Sequence, residues 1–395
     1  MYAETVLRKL RLVSGLVLMA FVVSHLLNLS IGLHSLAAMD AWRDNLLAPW
    51  QVMPGRLILI AAAMLHAVLG LYSMAARSSL AMSQTDVVQL FLGVLTPPLL
   101  VTHVVMTGVA AELVSGYEIS YGFLLAVYWS LSPFYAFLQL FAVVFVWVHA
   151  ALGVYSWLVL KPIWRRIGGF ILPLLFAVPI IALLGFAEAG KEVVEKFSSD
   201  AGWRASVLEN SAHVRPYAAR LDALREQILV AYGSLVLLAI GVFAARLLRN
   251  RLDRVRVVYD EGLVASGRRG LSILELSRMN GVPHADVCSG RGRCGTCRVH
   301  IEQGAAQLSA RNDIEHRTLA RVQAAAGDRL ACQARVLGNG VMVTRALPAY
   351  ADASAARDPQ DWALDPAPGS ALSAALQPAS QPASQPASHP DGQAA

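Results

Sequence analysis

"HAALGVYSW" occupies residues 149–157, and "HAVLGLYSM" occupies residues 66–74. Both lie inside long uncharged runs. They share the pattern H-A-x-L-G-x-Y-S, with glycine four and tyrosine six residues after the histidine. An imidazole at membrane depth is costly unless it has a partner, so each histidine marks a functional-site candidate.

The composition around these stretches is that of a membrane protein with something attached. The chain has 395 residues, 56% of them hydrophobic and only 15% charged. That is too apolar for an ordinary soluble domain. Uncharged runs predict six spans: Leu12 to Met39, Leu57 to Ala76, Val87 to Ala111, Pro133 to Leu160, Ile167 to Ala187 and Gln227 to Ala245. Each supplies the ~20 apolar residues a membrane helix needs. The first run has no small-residue cleavage site and reads as a retained span rather than a signal peptide.

The net charge of +6 does not point to nucleic acid. The basic residues flank one side of the spans: Arg8, Lys9 and Arg11; Arg77; Lys161, Arg165 and Arg166; Arg246, Arg249, Arg251 and Arg254. The loop between the third and fourth spans has Glu112 and Glu118 but no Lys or Arg. The positive-inside rule then puts both termini in the cytoplasm, with residues 1–250 as a six-helix membrane domain whose spans contact membrane lipid. Arg11, Arg56 and Arg77 read as topology anchors at membrane edges. Residues 188–226 carry mixed charge and read as an outer helical hairpin or extension, with His213 on its surface.

Four histidines fall at depth in the first four spans, one in each: His25, His66, His103 and His149. Their separations of 41, 37 and 46 residues each match one span plus one loop. A haem iron held by two neutral imidazoles takes one histidine from each of two facing helices. Gly70 and Gly153, one turn past a histidine, leave room for a flat macrocycle against the backbone. Depth predicts the pairs. His25 and His103 lie toward the outer side. His149 lies in the inner half and His66 near the middle. The expectation is two haem b groups, one on His25 and His103 and one on His66 and His149. The competing reading is a histidine-lined proton path, which calls for intramembrane Asp or Glu beside the histidines. None lies in these spans. His34 has no such pattern and is expected at the outer interface.

All four cysteines lie between residues 288 and 332. "CSGRGRCGTC" sets Cys288, Cys294 and Cys297 as C-x5-C-x2-C, and Cys332 follows after 34 further residues. Three thiolates in one loop and one distant suit a 2Fe-2S cluster. Ser289, Gly290, Gly292, Gly295 and Thr296 keep the loop small enough to fold its amides around inorganic sulfur. The rival, structural zinc, usually takes two C-x2-C knuckles, and only one occurs here. Around this loop the helical apolar pattern has stopped. "RVRVVYD" and "CRVHIEQG" alternate as strands, and "ILELSRMNG" reads as a short helix closed by Gly281. Residues 251–348 are therefore expected to be a soluble α+β domain. Residues 349–395, with "QPAS" repeated three times, are expected to be a disordered tail.

Residues 254–347, including "GLSILELSRMNGVPHADVCSGRGRCGTCRV" and "DRLACQARV", closely resemble a 2Fe-2S ferredoxin of the adrenodoxin type. That resemblance implies a β-grasp fold with Cys288, Cys294, Cys297 and Cys332 as ligands. His284 and His300 are expected at the surface. Residues 1 to about 160 resemble the dihaem cytochrome b anchor of succinate:quinone oxidoreductases. That family has an axial histidine in each of four successive helices, pairing first with third and second with fourth. The order implies His25/His103 and His66/His149, the pairing that depth gives independently. The chain departs from that family in having its own ferredoxin and a sixth span. The combination is similar to the anchor plus ferredoxin of certain bacterial adenylate cyclases, with no cyclase following here.

The sequence therefore predicts an α-helical bundle of six transmembrane helices followed by a β-grasp ferredoxin domain, in a bacterial inner membrane. It is expected to pass electrons between the cluster, two haems and the quinone pool. If the cluster sits near roughly −400 mV, as in plant-type ferredoxins, electrons run toward haem and quinone. The alternative is a quinone or redox sensor signalling to a separate partner such as a cyclase. A third reading is a subunit fed by a flavoprotein reductase.

Overall fold

The computed structural model describes residues 2–77, 79, 81–161, 163–249, 254–352 and 355. The expected disordered tail lies outside the described residues from 356 onward. Among the described residues, six helical stretches are long and apolar enough to cross a membrane: Val6–Leu33, Met53–Ala75, Gln84–Leu113, Pro133–Leu158, Arg166–Ser199 and Ala201–Leu248. This is the make-up of a multi-pass membrane protein.

The helices run α1 (Tyr2–Ser30), α2 (Leu36–Leu46), α3 (Met53–Ala75), α4 (Gln84–Val104), α5 (Tyr121–Ala126), α6 (Pro133–Leu158), α7 (Trp164–Ser199), α8 (Ala201–Val214) and α9 (Ala218–Arg249). α1 packs on α3 and α7, α4 on α6, and α9 on α3. Large apolar side chains such as Phe134 and Phe170, 72% and 75% exposed, face outward as lipid contact requires.

The first span ends earlier than the hydropathy suggests. α1 stops at Ser30, a single 3-10 turn covers Ile31–Leu33, and Ser35 caps α2 by accepting from the Ala38 N–H at 3.1 Å. At this turn the chain crosses α7 closely: a Cβ on Gly32 would lie 2.4 Å from the Gly185 carbonyl oxygen. The 188–226 segment extends α7 to Ser199 and returns through α8 into α9.

Prolines inside the spans free backbone carbonyls, which apolar surroundings cannot satisfy. Neighbouring helices supply the donors. Pro98 lacks the N–H that would bond Val94, and Tyr232 Oη of α9 donates to that carbonyl at 2.8 Å. Pro179 leaves Leu175 free in the same way, and Trp147 Nε1 donates to it at 2.6 Å. Two π-turns follow, at Val105–Val109 just past His103 and at Val127–Leu131. Such bulges are frequent at functional sites.

The C-terminal domain is a five-stranded sheet in the order β2-β1-β5-β3-β4, formed by Arg254–Tyr259, Val264–Arg268, Arg298–Gln303, Asp328–Leu330 and Val341–Arg345 as β1 to β5. β1 and β5 are parallel; the other pairings are antiparallel. α10 (Ile273–Met279) opens with a capping box in which Ser272 and Glu275 satisfy each other's backbone N–H. α11 (Asp313–Arg321) is capped by Asn312. Val255, Val257, Ile273, Leu276, Val299 and Leu330 form the buried core against which both helices lie.

Candidate functional site

The bundle brings its four deep histidines together as two pairs. His25 of α1 faces His103 of α4 with ring centres 6.1 Å apart, and His66 of α3 faces His149 of α6, also at 6.1 Å. An imidazole nitrogen bonds a metal at about 2.0–2.1 Å, and the ring centre lies about 1.1 Å behind that nitrogen, so two ligands of one ion put ring centres roughly 6.2–6.4 Å apart. Both pairs come within about 0.3 Å of that spacing.

In each ring Nδ1 has another neighbour, which leaves Nε2 for the partner side. His66 Nδ1 lies 3.1 Å from the Arg11 carbonyl, and His149 Nδ1 lies 2.8 Å from the Gln89 carbonyl. An Nδ1–H bonded to a carbonyl fixes the tautomer and orients Nε2, the usual support for a ligating histidine. The two arrangements repeat. Four residues past each carbonyl stands a glycine, Gly15 and Gly93, flat against the ring. A Cβ on Gly15 would come 2.9 Å from His66 Cε1, and one on Gly93 2.8 Å from His149 Cε1. A cavity opens beside this pair, lined by His66, Gly70, Gln89, Gly93, His149 and Tyr232. A Cβ on Gly70 would meet no atom within 4 Å, whereas one on Gly153 would come 3.0 Å from Gln89 Nε2.

The other pair uses tyrosines instead. Tyr121 Oη lies 3.5 Å from His25 Nδ1, and Tyr128 Oη lies 3.4 Å from His103 Nδ1. Phe21 stacks on His25, with ring centres 5.7 Å apart. Tyr121 is held by the start of α5, where Asp40 accepts from the N–H groups of Tyr121 at 2.6 Å and Gly122 at 3.2 Å. No pattern in the sequence marks these tyrosines, which lie in a segment too short to read as a span. Arg56 pairs with Glu112, as an edge anchor does. His213 is exposed and bonded to the Gly116 carbonyl at 2.7 Å.

The cysteines arrive as two pairs of sulfurs. Cys297 and Cys332 Sγ lie 3.3 Å apart, and Cys288 and Cys294 are hydrogen-bonded to each other. Cys288, Cys294 and Cys297 are buried; Cys332 is half-buried. The loop turns through positive φ at Ser289, Gly290, Gly292 and Gly295. Side chains are excluded at two of these: a Cβ would come 2.7 Å from Ile314 Cγ2 at Gly292 and 2.8 Å from Val322 Cγ1 at Gly295. That path turns amides toward sulfur, and the Arg293 N–H donates to Cys288 Sγ at 3.4 Å. The Cys294 contact and the N–H groups of Arg293, Cys294 and Arg291 pull the Cys288 thiol pKa down, against its burial. The neighbouring sulfur and burial push Cys294 and Cys297 upward. Two pairs side by side fit a two-iron cluster better than one zinc.

Residues 258–337 match the family described as the 2Fe-2S iron-sulfur cluster binding domain. The C-terminal domain is a 2Fe-2S ferredoxin domain. Over 78 residues the chain is 36% identical to chlorosome protein I of Chlorobaculum tepidum, covering 20% of this chain and 32% of that relative. The chain thus spans about a third of the length of the curated relative it matches. The ISC-like 2Fe-2S ferredoxin of Pseudomonas putida matches at 25% identity over 25% of this chain and 94% of that one, with a TM-score of 0.22. Of the two further histidines in the ferredoxin domain, His300 is partly exposed and lies 3.1 Å from Asp328. His284 departs from the surface position expected of it. It packs edge-on against Tyr259, and its Nε2 is buried with no hydrogen-bond partner among the described residues.

Proposed function

We propose that this protein carries electrons between the ferredoxin cluster and the quinone pool of a bacterial inner membrane, using two b-type haems held in the bundle. Cys288, Cys294, Cys297 and Cys332 hold the cluster. His66 and His149 hold the haem nearer the ferredoxin end; His25 and His103 hold the other. The observation that carries this reading is the repeated 6.1 Å spacing of two histidine pairs from four successive spans, each ring with Nδ1 already engaged.

His25 with His103 and His66 with His149 would each hold one haem, which would supply a one-electron carrier there. The protein's part is to hold each ring in register. The Arg11 and Gln89 carbonyls keep Nε2 of His66 and His149 unprotonated and aimed at one another. Tyr121 and Tyr128 stand beside Nδ1 of His25 and His103 and hold those rings in place. Apolar helix faces around both pairs exclude water. With the basic end inside, the ferredoxin domain is cytoplasmic, where a soluble reductase has access to it.

The test is turnover in proteoliposomes: the cluster is reduced from the ferredoxin side and a quinone analogue is followed in the lipid. Sustained quinone reduction, lost in His66→Ala and in His103→Ala, is expected. Equilibration without turnover overturns electron carriage and leaves a sensor that signals to a separate partner.

A further inference from the structure

The cluster-bearing loop of the ferredoxin domain rests on the end of the bundle that carries the N-terminus. Arg291, between Cys288 and Cys294, contacts two helices at once. Its carbonyl accepts from Arg8 Nη2 of α1 at 2.6 Å, and its guanidinium pairs with Asp86 of α4 at 2.8 Å. The Asp86 carboxylate is only 10% exposed and accepts from Ser83 Oγ at 2.9 Å. Ser83 Oγ also lies 3.2 Å from Ser289 Oγ of the loop. Leu160, past the end of α6, is buried against Cys288 and Cys294. Away from the cluster, Ser79 donates to Glu275 at 3.0 Å, and Arg278 to the Ala81 carbonyl at 3.2 Å.

The two helices held by Arg291 are those that orient the inner histidines. Arg8 stands three residues before Arg11, and Asp86 three before Gln89. On a helix that is a rise of about 4.5 Å. Arg11 and Gln89 are the carbonyls that receive Nδ1 of His66 and His149. One side chain and one carbonyl of the cluster loop therefore sit a single turn from both of these supports. The surface beneath the loop is cationic: Arg8 is close enough to Cys288 and Cys332 for their charges to interact, and Arg11 and Arg77 are similarly close to Arg291 and Asp86. A cluster on four thiolates is a net anion and becomes more negative when reduced, so this surface attracts it, and more so after reduction.

We propose that Arg291 is the positioning residue of an intramolecular docking seat, in which Arg8 and Asp86 hold the cluster loop over the His66/His149 pair, and that electrons cross while the domain is seated. The identity of the inner acceptor rests on the haem reading above; the seat itself does not.

The test uses the full chain in nanodiscs with Ser79→Cys and Glu275→Cys joined by a short bismaleimide. Cross-linking is expected to be fast with Arg291 present, and several-fold slower with Arg291→Gln or with Asp86→Asn, which leaves the cluster loop untouched. Arg291→Lys restores it. The cluster's midpoint potential, read by EPR titration, falls in Arg291→Gln and Asp86→Asn, because the cluster leaves a cationic surface. The cross-linked protein keeps the rate of haem reduction after photoreduction of the cluster. Cross-linking or potential unmoved by both variants overturns the latch. Loss of haem reduction in the cross-linked protein overturns the seat as the conducting pose. If no haem absorbance is present, the haem reading fails, and the cross-linking and potential arms still decide the seat.

Discussion

Gly93 lies so close to the His149 ring that a Cβ at this position would come within 2.8 Å of Cε1 and 3.1 Å of Nδ1. The ring has nowhere to retreat, because Nδ1 is bonded to the Gln89 carbonyl one turn earlier on the same helix. Gly93→Ala is a favourable change for a helix by roughly 1 kcal/mol, so fold stability is not expected to suffer. The ring must tilt instead. Inner-haem affinity is expected to fall about 10- to 100-fold, the usual cost of disturbing a ligand's support. Haem titration of the variant reads this directly; Gly15→Ala is expected to act the same way on His66, and neither to touch the outer pair.

Tyr121→Phe and Tyr128→Phe remove the groups beside Nδ1 of His25 and His103 while keeping the apolar volume. The outer haem is expected to shift in midpoint potential, since hydrogen bonding to an axial ligand tunes it. The inner haem stays where it was. A redox titration that resolves the two centres checks this; equal shifts in both refute the assignment of these tyrosines to the outer pair.

The ferredoxin domain depends on one buried charge pair. The Glu315 side chain is fully buried and accepts from Arg329 at 2.8 and 3.0 Å and from the Leu330 N–H at 2.8 Å. Removing the carboxylate strands a buried guanidinium and costs about 3–5 kcal/mol. Glu315→Ala is expected to lower the temperature at which cluster absorbance disappears, with the helical bundle melting unchanged by far-ultraviolet dichroism.

His284 gives the domain a pH dependence. Burial pulls its pKa from 6.5 down to about 4. The unfolded chain therefore takes up this proton before the folded one does, and stability falls as pH drops from 6.5 toward 4. Above that window the contribution is complete. His284→Phe removes this part of the slope, read as the difference in thermal cluster loss between the two proteins across the window.

The cysteine loop and the six helices were legible because their signals are local: ligand spacing in one, length of uncharged run in the other. The facing of His25 with His103 and of His66 with His149 followed from depth, which needs only helix direction. The supports of these rings were not legible. The partners of His66 and His149 are main-chain carbonyls of Arg11 and Gln89, and any residue carries one. Gly15 and Gly93 differ from other membrane glycines only by what lies opposite them. Tyr121 reaches His25 through the α5 cap on Asp40, a contact between segments 81 residues apart. The docking of Arg291 against Asp86 joins two domains that sequence reading treats separately.

We propose the two pairs of histidines as haem ligands in a protein that also carries a ferredoxin domain. The most direct measurement is the reduced-minus-oxidised visible spectrum of the purified chain, with haem and cluster iron each quantified per polypeptide. The expected result is a b-type spectrum with two haems for each 2Fe-2S cluster, and one haem remaining in either His66→Ala or His103→Ala. A purified protein with its cluster intact and no haem absorbance contradicts it.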